Sequence, residues 1–170
     1  MKYLISSIAL ITLISCKNAT TEYAQNDIQE KVYQVTKSDA QWRQELTAAE
    51  YNVLRRAGTE RPHTSPLDKN YDAGTLICAG CNAPLYDNAN KFDSGTGWPS
   101  YDREIEGQVE RDVDYNIGYA RTELKCNTCG GHLGHEFNDG PRHTTGKRHC
   151  INGVALDFIP AGQELPALNK

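Results

Sequence analysis

A mostly β domain with a short helical cap on its N-terminal side is the fold class that this 170-residue chain predicts. Three observations carry that reading. Two helix-capping patterns follow one another between Ser38 and Glu50. From Thr75 onward, short β-prone runs are punctuated by Gly, Asn and Asp. Nowhere do strands alternate with long amphipathic helices, and no glycine-rich phosphate loop is present, so a dinucleotide-binding sheet is not expected.

Residues 1–15 read as a signal segment. Lys2 supplies the positive start, and an apolar stretch with scattered Ser and Thr runs from Tyr3 to Ser15. Thirteen residues are too few to span a bilayer, which needs about 20. The segment ends Leu13-Ile14-Ser15-Cys16, which resembles the lipobox of bacterial lipoproteins. That resemblance implies lipidation at Cys16 and a membrane-anchored, exported chain, facing the periplasm or the cell surface. Residues 16–37 are polar and aperiodic, a tether between lipid and domain.

The domain itself is expected over residues 38–160. Ser38-Asp39-Ala40-Gln41 opens a first helix with Trp42 and Leu46 on one face, Trp42 reading as a core residue. Thr47-Ala48-Ala49-Glu50 opens a second, with Tyr51 and Leu54 sharing a face and Gly58 as its stop. A loop holding Pro62 and Pro66 follows. Strands are expected at 75–77, 109–113, 119–124, 135–137, 149–151 and 154–158, and residues 161–170 form a frayed tail.

With 18 basic against 22 acidic side chains the net charge is −4, which argues against nucleic acid as a partner. An apolar fraction of 38% excludes both a wholly disordered chain and a multi-span membrane protein. A monomer is expected.

Six cysteines stand against a single methionine. Four of them form two CxxC pairs, Cys78/Cys81 and Cys126/Cys129, the pattern of a closed tetrahedral zinc site. Four protein ligands leave no open position, so the zinc would be structural and would clip distant segments together across the 44 residues between the pairs. Two small disulfide rings are the competing reading in an exported protein. Cys150 is left over, in Lys147-Arg148-His149-Cys150-Ile151-Asn152. As a strand, this run puts Arg148, Cys150 and Asn152 on one face, where the guanidinium would lower the thiol pKa and Asn152 could bond a polar ligand.

Three further segments accompany the cysteines: Gly95-Thr96-Gly97-Trp98-Pro99-Ser100, Gly130-Gly131-His132-Leu133-Gly134-His135-Glu136-Phe137-Asn138-Asp139, and Arg148-His149-Cys150-Ile151-Asn152. Together with both CxxC pairs they resemble the methionine sulfoxide reductase B family over about residues 38–160. The resemblance implies a core of two antiparallel sheets, a structural zinc, and thiol-dependent reduction of the R epimer of methionine sulfoxide, free or in proteins. It makes Cys150 the nucleophile. His132 and His135 are then the available general acids, with opposite parity in a straight strand unless Gly134 supplies a bend. Trp98 and Phe137 would form the apolar side of the substrate pocket, Arg148 and Asn152 would support the thiolate and the oxygen, and Asp139 would serve a turn or hold a neighbour. His63 and His143 lie outside the motifs.

Many members of that family carry a second, resolving cysteine in the Gly-x-Gly-Trp-Pro turn, where this chain has Thr96. A one-cysteine cycle is therefore expected, with an external thiol such as a thioredoxin-like donor reducing the sulfenic acid. Two rivals come from other classes. One is a zinc-ribbon-like binding module with a structural Cys150. The other is a zinc hydrolase or deaminase, which His135-Glu136 does not fit because the H-x-E spacing is absent.

Overall fold

Two capping boxes do form, and they start the helical part of the chain. The computed structural model describes residues 31–170; the signal segment, Cys16 and the expected tether as far as residue 30 lie outside them. Helix α1 (Asp39–Glu45) is capped by Ser38 and Gln41, and helix α2 (Ala48–Arg56) by Thr47 and Glu50, each pair satisfying two otherwise orphaned N–H groups. Their inner faces bury Trp42, Tyr51, Val53 and Leu54. No helix among the described residues is long and apolar enough to cross a membrane.

The strands are β1 (Gly74–Cys78), β2 (Pro84–Asp87), β3 (Lys91–Phe92), β4 (Ser100–Tyr101), β5 (Val109–Asp114), β6 (Arg121–Cys126), β7 (His132–Phe137), β8 (Arg148–Ile151) and β9 (Leu156–Pro160). They form two antiparallel sheets, β2-β1-β9 and β3-β4-β8-β7-β6-β5. The mainly β architecture with two short helices is as expected. Sequence reading missed β2, β3 and β4, of which β3 and β4 are two residues each and too short for a period-two pattern to register. It also began the last strand two residues early, because residues 153–155 are a 3₁₀ turn.

Residues 31–37 do not behave as a tether. Val35 is buried and its N–H bonds the Thr128 carbonyl at 3.0 Å, while the Tyr33 ring covers Gly130. One well-placed valine and one tyrosine anchor a segment whose average polarity suggested a linker. The far end of the chain is likewise tied down. Asn82 donates to the Ala167 carbonyl at 2.9 Å and the Asn169 N–H to the Cys81 carbonyl at 3.0 Å.

The centre of the larger sheet sorts its polar groups onto two faces. In β7 and β8, His135 pairs with Cys150 and Glu136 with His149. One face therefore carries His135 and Cys150 and the other Glu136 and His149. His149 is fully buried there, 3.3 Å from the Tyr86 hydroxyl and 3.2 Å from Glu136, whose carboxylate also accepts from Arg111 at 2.8 Å. At Gly134 the backbones of β7 and β8 leave no room for a side chain. A Cβ at that position would lie 2.0 Å from the Cys150 carbonyl oxygen and 3.1 Å from the Ile151 Cα, both backbone atoms that cannot swing away. Gly134→Ala should therefore cost at least about 3 kcal/mol, read as a shift in urea midpoint. Wild-type stability in that variant would contradict the close approach.

Candidate functional site

Cys150 enters the site because β8 is sandwiched: Ser100 of β4 pairs with it on one side and His135 of β7 on the other. Its side chain faces a cavity of about 140 Å³ that Trp98, His135, Phe137 and Asn152 also line, with Arg121 and Thr59 completing the wall. Five of the residues expected from sequence thus converge on one small chamber. Its volume suits a single side chain, and its walls pair two aromatic rings with a few polar groups, as ligand pockets do.

The expected acidification of the Cys150 thiol is not what the structure gives. Burial pushes the pKa above its ordinary value and outweighs the neighbouring Arg148 charge and the Thr96 hydroxyl, both of which pull it down. Arg148 is also largely engaged elsewhere. Its guanidinium stacks 4.4 Å over the Phe137 ring and makes two hydrogen bonds to Asp139, at 2.9 and 3.0 Å. Asp139 thus holds Arg148, and Arg148 braces the aromatic wall instead of lining the cavity. Alkylation of Cys150 by iodoacetamide should accordingly accelerate with pH through a midpoint above the ordinary thiol value of about 8.5. A rate already at its plateau at neutral pH would show a pre-formed thiolate and contradict this.

His132 and His135 reach the same neighbourhood through a bulge. Lys125 pairs with His132 but Leu124 with Gly134, so Leu133 is an extra residue on β7. The parity of the strand changes there, and the two rings meet edge-on with centroids 5.3 Å apart. The change of face was expected at Gly134; it occurs one residue earlier, and Gly134 serves instead for close packing. Each ring is fixed by a carboxylate from another strand of the sheet, Glu123 from the adjacent β6 and Asp114 from β5 beyond it. His135 donates from Nε2 to Asp114 at 2.8 Å, and His132 donates from Nδ1 to Glu123 at 2.6 Å. A carboxylate can only accept, so each ring donates to its carboxylate, and Nδ1 of His135 is left as the nitrogen that gains or loses a proton. His132 Nε2 is buried without a protein partner, and only His135 lines the cavity. Burial lowers the His135 pKa, against the raising effect of Asp114. Asp114 is itself held down to about 2 by the Asn116 N–H, with His135 and Arg121 adding to it.

Asn152 follows β8 and is fixed at both ends, its amide donating to the Leu133 carbonyl at 2.9 Å and its oxygen accepting the Glu60 N–H at 3.0 Å. Trp98 donates from Nε1 to the Glu60 carbonyl at 3.2 Å. Thr96, at the place of the expected missing cysteine, bonds Ser94 at 2.8 Å. His63 packs over Gly97 outside the cavity, and His143 is exposed.

Sequence reasoning missed Glu60, Asp114, Arg121 and Glu123. Glu60 sits in an aperiodic loop with no local signal. Arg121 and Glu123 share one face of β6, with Glu123 opposite His135, so the strand's alternation was the signal available.

The remaining cysteines form a separate centre. Cys78, Cys81, Cys126 and Cys129 are all buried with their sulfurs within 4.8 Å of one another, and none lines the Cys150 cavity. The Cys78–Cys129 and Cys81–Cys126 separations are 3.8 and 3.6 Å. A disulfide requires about 2.05 Å. A tetrahedral metal with bonds of about 2.3 Å to thiolate sulfur requires edges of about 3.8 Å. All four cysteines are free, so the cluster fits a zinc site and not a disulfide within each CxxC pair.

Comparison with known proteins agrees with this arrangement. A family model described as the SelR domain matches residues 46–160. A peptide methionine sulfoxide reductase MsrB of Leptospira interrogans is 50% identical over 127 residues, 74% of this chain and 96% of its own. A protein of the same description from Leifsonia xyli is 50% identical over 129 residues, covering 75% and 93% of the two chains. One from Burkholderia cenocepacia is 46% identical over 134 residues, covering 78% and 94%. With the paired cysteine turns, the Cys150 chamber and these matches in agreement, the chain belongs to the MsrB, or SelR-domain, family.

Proposed function

We propose that this protein reduces methionine (R)-sulfoxide to methionine with Cys150 as the single redox-active cysteine. The observation that carries it is the placement of one thiol in a small aromatic-walled chamber beside His135 and Asn152, while the four other cysteines of the described residues are gathered elsewhere.

The raised Cys150 pKa and the lowered His135 pKa make the resting pair a neutral thiol and a neutral imidazole. The thiol therefore brings the proton that the reaction needs. The Cys150 sulfur attacks the sulfoxide sulfur while His135, through Nδ1, relays the proton to the sulfoxide oxygen. The sulfoxide S–O bond breaks and an S–O bond to Cys150 forms, giving methionine and Cys150 sulfenic acid. The methionine sulfur is reduced by two electrons and the cysteine sulfur oxidised by two. Trp98 and Phe137 hold the S-methyl group. The S epimer exchanges methyl for oxygen and would set the oxygen against an aromatic face, which is the basis for selecting R. Arg121 and Asn152 supply donors near the developing charge.

Thr96 cannot resolve the sulfenic acid. An external dithiol attacks the Cys150 sulfur, releases water and leaves a mixed disulfide that its second thiol reopens. A thioredoxin-like protein is the natural donor. In this reading the Cys₄ cluster holds one structural zinc, and the domain is a monomer, exported and held at a membrane by lipid on Cys16.

The test is turnover of the two separated sulfoxide epimers with dithiothreitol, together with mass spectrometry of enzyme exposed to substrate alone. R-specific turnover and one added oxygen on Cys150 are expected. Equal use of the S epimer sinks the stereochemical assignment, and an intramolecular disulfide from Cys150 sinks the one-cysteine cycle.

A further inference from the structure

Both ends of the described chain close over the four-cysteine centre. Residues 31–37 lie on the second CxxC turn. Val35 is buried and donates its N–H to the Thr128 carbonyl at 3.0 Å, Lys31 bonds the Asn127 side chain, and the Tyr33 ring covers Gly130. The last residues lie on the first CxxC turn. There the Asn169 N–H bonds the Cys81 carbonyl at 3.0 Å, the Asn82 amide donates to the Ala167 carbonyl at 2.9 Å, and Leu168 packs against the core.

The two segments meet on one carboxylate. Glu45, the last residue of α1, accepts from Lys37 and, at 3.1 Å, from the side-chain amide of Asn169. Lys37 also sits over the Trp42 ring, 5.1 Å from its centroid, and Trp42 and Leu54 face Gly80 inside the first turn. One connected layer therefore covers the cysteines, none of which is more than 3% exposed. A chelating ligand cannot reach a metal held by sulfurs so deep until part of that layer moves.

The layer is not equally firm throughout. β1 lies between β2 and β9, and β6 between β7 and β5, so the strands that end at Cys78 and Cys126 are paired on both sides. The helices are capped and bury Trp42 and Leu54. The terminal segments have no strand partner and hold on through a few hydrogen bonds and three side chains, so they open at the lowest free energy. We propose that residues 31–37 and 167–169 form a gate over the four-cysteine centre, latched at Glu45, and that metal exchanges with solvent when this gate opens, with the rest of the domain folded. The inference rests on reading the cluster as a zinc site.

The experiment follows zinc release from the full chain into an excess of a chromogenic chelator, without denaturant, beside the unfolding rate extrapolated from urea. At saturating chelator the wild type should release zinc at least about tenfold faster than it unfolds. Glu45→Ala frees both segments at an exposed position and should speed release about tenfold further. Asn169→Pro removes the N–H that Cys81 accepts, also at an exposed position, and should speed release severalfold. Tyr101→Phe serves as the control, since it loses a buried hydrogen bond to Asn88 outside the gate and should leave release unchanged. Release no faster than unfolding in the wild type, a rate unmoved by both Glu45→Ala and Asn169→Pro, or equal acceleration by Tyr101→Phe overturns the gate. The wild-type comparison needs no variant to fold. A chain that binds no zinc at all would instead overturn the metal reading beneath it.

Discussion

Cys150→Ser is expected to lose at least about 10³-fold in sulfoxide turnover while keeping its metal and its melting temperature. Serine replaces sulfur with a harder, far less acidic oxygen that cannot accept the sulfoxide oxygen and cycle back with a thiol. The structural cost is small, because the two side chains are close in size and Cys150 lies at a half-buried position facing a cavity. Metal content is unaffected because the four thiols of the other centre are elsewhere. The measurement is steady-state turnover with dithiothreitol beside zinc analysis and thermal melting. A variant that retains turnover would leave Cys150 without a catalytic role and favour a binding module built on the metal cluster. A variant that loses metal together with activity would place Cys150 among the ligands.

The second large effect concerns stability. Cys126→Ser, or removal of metal by a chelator, should lower stability by roughly 4 kcal/mol or more and Tm by about 10 °C or more. The reason is where the cluster sits. Cys78 ends β1 of the three-stranded sheet and Cys126 ends β6 of the six-stranded one, so a metal there joins the two sheets. It also closes a chain segment whose loop entropy would otherwise oppose that junction. With one ligand missing, a buried group is left against three thiols whose charge no longer has a full counter-ion shell. Activity should fall in step with unfolding, not ahead of it, since the Cys150 chamber contains none of these residues. Identical melting of metal-free and metal-loaded protein would refute the structural role.

Some features of the molecule are encoded locally. Capping boxes announce themselves over four residues, and both helices begin where Ser38 and Thr47 place them. The two CxxC turns and the odd thiol at 150 are equally local, so a cluster of four cysteines with a fifth set apart from it could be read from spacing and count. Strand alternation put Arg148, Cys150 and Asn152 on one face before any pairing was known.

Other features needed the fold. The bulge at Leu133 depends on the register between β6 and β7, which no single strand encodes, and it alone turns His132 and His135 toward each other. Asp114 and Glu123, which fix those rings, come from two other strands, β5 and β6. Glu60 reaches Trp98 and Asn152 across a long stretch of sequence from a loop without periodicity. The direction of the Cys150 pKa shows the same division. The sequence displayed the nearby Arg148, but not the burial that outweighs it or the Asp139 that engages the guanidinium. What the sequence determined by itself is which chemical groups are present and how short segments begin and end, because those depend on neighbours within a few residues. The tertiary structure alone decided which groups meet, how dry their meeting place is and hence how they ionise. Distance and desolvation are set by contacts between segments that the chain order does not bring together.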